Sequence, residues 1–285
     1  MRKLLSTLLL SLVVVSAQAA VVEDTVYINN GLFTTVDSNT LPYTAFNSSS
    51  TFDQQNTQLF IGVGDSLYLT IINTDTQPHG VDITNTTGYT TTVGAGATTT
   101  LACQFNQTGI YILHDHLNYP DMAYFGLSTP IVVDNFAGSI FSWNIKEHQL
   151  SFNDSIQNNG TVNWSTYYPE YFTINGNSNP AINADPLAKV TGNVGDTLRI
   201  CVTNTGQSIH SIHFHGYHLR IVFSSKDAAH VDREKDTFSV YPMESLILEL
   251  IPDKTGEYPV HDHNLVAVTG GGIYPNGMFL TMIIQ

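Results

Sequence analysis

Thr255-Gly-Glu-Tyr258-Pro-Val-His261-Asp262-His263 is the stretch around which the chain is organised. It has an echo 147 residues upstream, Thr108-Gly-Ile-Tyr111-Ile-Leu-His114-Asp115-His116. Each is a Thr-Gly turn, a tyrosine, two apolar residues and then His-Asp-His. In an extended strand successive side chains point to opposite faces. Both imidazoles of each His-Asp-His therefore converge on one side, and the aspartate points to the other. A third cluster, His210-Ser-Ile-His213-Phe-His215-Gly-Tyr-His218, adds another His-x-His. A core explains one buried histidine but not three such pairs, and imidazole suits copper, zinc, iron and nickel. The competing reading is a decayed site whose histidines now serve packing and hydrogen bonding.

The internal likeness is wider than these motifs. Gly64-Asp-Ser-Leu-Tyr-Leu-Thr-Ile-Ile-Asn73-Thr aligns with Gly195-Asp-Thr-Leu-Arg-Ile-Cys-Val-Thr-Asn204-Thr, and Gln77-Pro-His79-Gly80 is placed opposite His213-Phe-His215-Gly216. β-Branched and aromatic segments alternate with Gly, Asn and Asp throughout, and no stretch holds a 3.6-residue period over three turns. An all-β chain of two sandwiches follows, at residues 20–136 and 137–285. Phe152–Tyr168 reads as a surface loop, and Gly270-Gly-Gly272 as a turn. Residues 1–19 read as a signal peptide: Arg2-Lys3, an apolar run from Leu4 to Val15, then Ala17-Gln18-Ala19. That run is too short to span a membrane.

Charged residues are 12% of the chain, and 24 acids oppose 10 bases, for a net charge of -14. Such a surface disfavours nucleic acid and anionic membranes and attracts cations. The expected location is secreted, or periplasmic in a bacterium. Asn47, Asn85, Asn106, Asn153, Asn159 and Asn163 open glycosylation sequons, as expected of a glycoprotein where the source glycosylates. Cys103 and Cys201 fall at non-equivalent strands and read as free buried thiols. His148 and His230 read as surface or loop residues, and His218 as a core histidine. No Ser-His-Asp signature and no phosphate-binding glycine loop is present.

These residues resemble the multicopper oxidase family, built from cupredoxin domains of the Greek-key type found in laccases and nitrite reductases. Phe172-Thr-Ile-Asn175-Gly176 is similar to the family's Phe-x-Ile-Asn-Gly. His210-Ser-Ile-His213-Phe-His215-Gly matches His-x-x-His-x-His-Gly, and Asp236-Thr-Phe-Ser-Val-Tyr-Pro242 looks like Asp-Thr-Val-x-Val-x-Pro. His261-Asp262-His263 stands where the family has His-Cys-His. The resemblance implies a type 3 copper pair, with one ion on His79, His114 and His263 and the other on His116, His215 and His261. The type 2 position would keep His213 but has Gln77 in place of a second imidazole. Blue (type 1) copper needs thiolate. Asp262 replaces that cysteine, Ala267 replaces a further histidine, and only His210 remains, so no blue site is expected.

The resemblance implies copper as cofactor and an oxidoreductase that passes electrons from a small reductant to dioxygen. Loss of the type 1 cysteine cuts the usual electron entry, so a reductant would have to reach the centre directly. Extracellular copper storage or delivery, and a metal-free structural role, are the alternatives. A ring of ligands shared between domains one and two cannot close within two consecutive domains. Head-to-tail contacts that close make rings, so a homotrimer with its metal sites between chains is expected.

Overall fold

The computed structural model describes residues 19–285. The signal-peptide reading therefore lies, but for Ala19, outside the described residues. The first strands are β1 (Val21–Thr34), β2 (Thr40–Asn47), β3 (Leu59–Ile61), β4 (Ser66–Asn73), β5 (His79–Ile83), β6 (Thr90–Val93), β7 (Thr98–Gln104), β8 (Gly109–His114) and β9 (Ser128–Val133), with the one-turn α1 (Asp121–Tyr124) between the last two. They form two sheets, in the orders β2-β1-β4-β7 and β3-β9-β8-β5-β6. The later strands are β10 (Ser139–His148), β11 (Tyr171–Ile174), β12 (Thr191–Gly192), β13 (Leu198–Asn204), β14 (His210–Phe214), β15 (Leu219–Ser224), β16 (Glu234–Lys235), β17 (Thr237–Val240), β18 (Glu244–Leu250), β19 (Gly256–Asp262) and β20 (Phe279–Ile284). Their sheets run β11-β10-β13-β18-β15-β16 and β12-β20-β19-β14-β17. Apart from the added β15 and β16, the second pair of sheets has the strand order of the first, and the all-β cupredoxin-type architecture is the one the alternating segments imply.

Alternation explains the packing. In β4, Leu67, Leu69 and Ile71 enter the first core, while Tyr68 and Thr70 face away. In β13, Leu198, Ile200 and Val202 enter the second core, yet Cys201 and Thr203 on the other face are also buried. That outer face packs on the first sandwich: Cys201 and Ile247 meet Ile110 and Val132. Lys146 crosses the same boundary, and its Nζ donates to Ala123 O (2.7 Å) and Ser128 Oγ (2.8 Å). Both cysteines are free and buried, and burial raises each thiol. No described helix is long and apolar enough to cross a membrane.

Three expectations are corrected. Phe152–Tyr168 is not a plain loop, since α2 (Leu150–Gln157) runs through its start and a 3₁₀ turn follows at Trp164–Thr166. The helix has only two turns, too few to show a period, and it seats Phe152, Asn153 and Ile156. His148 is fully buried, 4.6 Å from the Phe33 ring and 5.4 Å from that of Tyr43, and burial drives its pKa down to about 3. His218, expected in the core, is exposed. Two sequons are closed as well. Asn47 and Asn153 are buried with their amides donating to backbone carbonyls, whereas Asn85, Asn106, Asn159 and Asn163 are exposed.

Candidate metal centre

Each sandwich holds a histidine gripped between two carboxylates. In the second, His210 opens β14 and is fully buried; its Nδ1 lies 2.6 Å from Asp262 Oδ2 and its Nε2 2.9 Å from Glu147 Oε2. In the first, His79 opens β5; its Nδ1 lies 2.8 Å from Asp115 Oδ2 and its Nε2 3.0 Å from Asp75 Oδ2. The middle aspartate of each His-Asp-His thus points inward, as alternation requires. Asp262 Oδ1 also accepts the Ser211 and Asn264 amides, and Asp115 Oδ1 those of Gly80 and Leu117. These contacts pin the two strands of each sheet together at the end of the sandwich.

The structure therefore re-registers the internal likeness. His79 is the counterpart of His210, not of His215. Asn73 and Asn204 confirm this, since each stands six residues before its histidine and donates to the loop carbonyl four residues on, Gln77 O and Ser208 O, at 2.8 and 2.7 Å. Both nitrogens of His79 are taken by carboxylates, so in this arrangement it presents no lone pair to a metal ion.

The second carboxylate comes from different places. In the first sandwich it is Asp75, two residues after Asn73, supported by Asn30 of β1. In the second it is Glu147 of β10, and the loop position two after Asn204 is Gly206. The pairings Ile28 with Asn73 and Ile145 with Asn204 make Asn30 the counterpart of Glu147. A Cβ on Gly206 would collide with the Glu147 carboxylate. The two positions have thus exchanged roles, carboxylate for amide on the strand and glycine for carboxylate in the loop. Gly206→Ala is expected to cost about 1–3 kcal/mol through overpacking, measured by denaturant unfolding. An unchanged midpoint would show that Glu147 can move aside.

Burial opposes every charge here, and the pairing outweighs it. The Asp262 and Glu147 hydrogen bonds lift His210 to about 9. Glu147 is brought down to about 2 by His210 and by the Gln207 and Ser208 amides, which lie 2.6 and 2.7 Å from Oε1. His79 is raised by Asp115 and Asp75. At neutral pH His210 is therefore an imidazolium, and the inward-facing position holds a proton where a thiolate-ligated metal would need a lone pair.

Outward-facing residues form a different group. His213, His215, His261 and His263 lie together on one face of β14 and β19, with ring centroids from 4.7 Å (His213–His215) to 6.4 Å (His261–His263). His261 Nδ1 donates to Asp262 O at 2.8 Å, and His213 Nδ1 lies 3.1 Å from Asp236 O and 2.9 Å from Thr237 Oγ1. Backbone carbonyls thus fix these two rings through Nδ1 and turn Nε2 outward, as the carbonyl partners of metal-binding histidines do. His215 Nε2 and His261 Nε2 are 3.0 Å apart. A shared proton bridges that gap, and so do two nitrogens on one ion at about 2.0–2.1 Å each. Burial first, and then its three neighbours, lower the His215 pKa and favour the neutral, metal-binding form.

On the first sandwich, His114 and His116 each carry a buried Nδ1 with no hydrogen-bond partner among the described residues. Burial lowers the His114 pKa as well. The outward-facing imidazoles therefore fall into two separate groups. Among the described residues no hydrogen bond or ring contact joins His114 or His116 to the other four, and no group of three or more His, Cys, Asp or Glu is arranged to hold an ion within one chain.

Comparison with known proteins agrees with this architecture. Residues 152–281 match the multicopper oxidase family model. No curated protein matches the chain by sequence. Among solved structures, a blue copper oxidase from Nitrosomonas europaea superposes with a TM-score of 0.77 at 19% identity, covering 93% of this chain and 86% of that one. The multicopper oxidase mgLAC gives 0.76 at 18% identity over 94% and 87%. A copper nitrite reductase from Nitrosomonas europaea gives 0.71 at 17% identity over 93% and 94%. At such identities the likeness is one of fold.

Proposed function

We propose that this chain is a copper-dependent oxidoreductase that works outside the cytosol without a blue copper site. The observation that carries the reading is the quartet His213, His215, His261 and His263, with Nδ1 of His213 and His261 tied to backbone carbonyls and Nε2 of His215 and His261 turned towards each other at 3.0 Å. His114 and His116 supply the complementary imidazoles. Copper bound there would supply one-electron chemistry between a small reductant and dioxygen. The Asp236 and Asp262 carbonyls orient the rings, and burial, then the neighbouring imidazoles, lower the His215 pKa and favour its neutral form. The exposed His215 and His263 leave the face open to another surface.

Because the two imidazole groups do not meet within one chain, the reading includes a head-to-tail homotrimer. His114 and His116 of one chain would face the quartet of the next, and three such contacts would close the ring. His79 has no part in it. The apolar run at residues 4–15 supports an extracytosolic location.

The test is copper loading followed by spectroscopy and oxygen uptake. The expected protein retains copper, shows no intense blue band, and consumes oxygen with ascorbate or a phenol. A blue band would overturn the assignment of His210 and Asp262. Retention of copper without oxygen uptake would leave a copper carrier instead.

A further inference from the structure

We propose that Asp82 is a metal ligand, the carboxylate counterpart of His213, so that the shared centre is mixed rather than all-imidazole. This rests on the reading above and extends it. In the second sandwich His213 pairs directly with His261 across β14 and β19. In the first, Asp82 pairs directly with His114 across β5 and β8. His79 and His210 set the same register, so Asp82 and His213 each stand three residues after the gripped histidine, on the outward face. The next outward position is Thr84 against His215, and Thr84 Oγ1 is already used, accepting the Ile112 amide at 2.9 Å. The first sandwich therefore offers His114, His116 and one carboxylate where the second offers four imidazoles.

Other features of the site agree. Asp82 is partly exposed, and among the described residues its carboxylate makes no hydrogen bond or ion pair, although it lies close enough to His114 to act on it electrostatically. Gly80, two residues earlier on the same face, is the space into which the His116 ring folds: a Cβ there would lie 2.7 Å from His116 Nδ1. His114 and His116 thus stand beside Asp82 across β5 and β8. A carboxylate among imidazoles contributed by two chains makes a centre accept harder divalent ions more readily than imidazole alone does. The two halves of the centre would then differ in the ions they prefer.

Purified wild type, Asp82→Ala and Asp82→His are titrated with Cu(II) against a chelator, with electron paramagnetic resonance of the loaded proteins and thermal unfolding of the metal-free ones. The expected result is at least a tenfold loss of copper affinity in Asp82→Ala, the lower bound set by the 10–100-fold effects of altering even outer partners. Its metal-free melting temperature should not change. Asp82→His should hold copper with added nitrogen coupling in the resonance. Equal affinity and spectra in wild type and Asp82→Ala would overturn the assignment of Asp82 alone. A wild type that binds no copper would overturn both this inference and the function it rests on.

Discussion

Glu147→Ala is expected to destabilise the protein by about 3–5 kcal/mol at pH 6, the range found when one partner of a buried ion pair is removed. His210 would be left with Asp262 alone, and the Gln207 and Ser208 amides would lose their acceptor, while the Tyr167 hydroxyl would keep only the backbone carbonyl of residue 147. The effect has a pH signature. The folded pKa of His210 is raised from 6.5 to about 9. Its contribution is therefore fully present below about pH 6.5 and is lost as pH rises through about 9. The folded pKa of Glu147 is lowered from 4.5 to about 2, so its contribution is present above about pH 4.5 and is lost as pH falls through about 2. The gap between wild type and variant should be widest between about pH 4.5 and 6.5 and should narrow above about pH 9. Urea unfolding across that range measures it. The first sandwich suggests a rescue: Glu147→Asn combined with Gly206→Asp would transplant the Asn30–Asp75 arrangement and should recover much of the loss. A small, pH-independent penalty for Glu147→Ala would mean that His210 is neutral and the grip only a packing contact.

Mixing two defective chains is expected to restore copper sites that neither has alone. His116→Ala removes an imidazole from the first-sandwich half, and His263→Ala one from the second-sandwich half. If the centre forms between chains, every site in either homotrimer is damaged. Random co-assembly joins an intact first half to an intact second half at about a quarter of the contacts, because each half is intact with even odds. Copper retained per chain in the co-expressed mixture should rise towards that fraction of the wild-type value, and light scattering should show three chains. A monomer that holds copper through these histidines, or a mixture that recovers nothing, would show that the halves do not meet in this way.

Local alternation made the broad features legible. The period of two in the His-Asp-His segments predicts imidazoles on one face and aspartates on the other, and His213, His215, His261 and His263 form such an outward group. The absence of cysteine between His261 and His263 excludes a thiolate there from composition alone. The unlike strands of Cys103 and Cys201 favour free thiols over a bridge between them, and both are free and buried. Asp75 was also within reach of the sequence, four residues before His79, but nothing marked it as that histidine's partner.

Sequence alone could not settle what depends on register and on distant contacts. The motif alignment set His79 opposite His215, five residues beyond its true counterpart His210. An odd offset in a strand moves a side chain to the opposite face, so a residue expected among the outward imidazoles is instead enclosed by Asp75 and Asp115. The partnership of Glu147 with His210 joins residues 63 apart. Neither neighbour in sequence announces it, because β10 reaches β14 only once two sheets have packed. His148 shows the same limit, since its aromatic enclosure includes Phe33 and Tyr43 from the other sandwich. The sequence by itself determined the strand class, the facing of each His-Asp-His and the lack of thiolate, because these follow from a two-residue period and from side-chain chemistry. Only the tertiary structure decided which histidines are gripped and which remain open, because that choice rests on strand register and on carboxylates contributed from elsewhere in the chain.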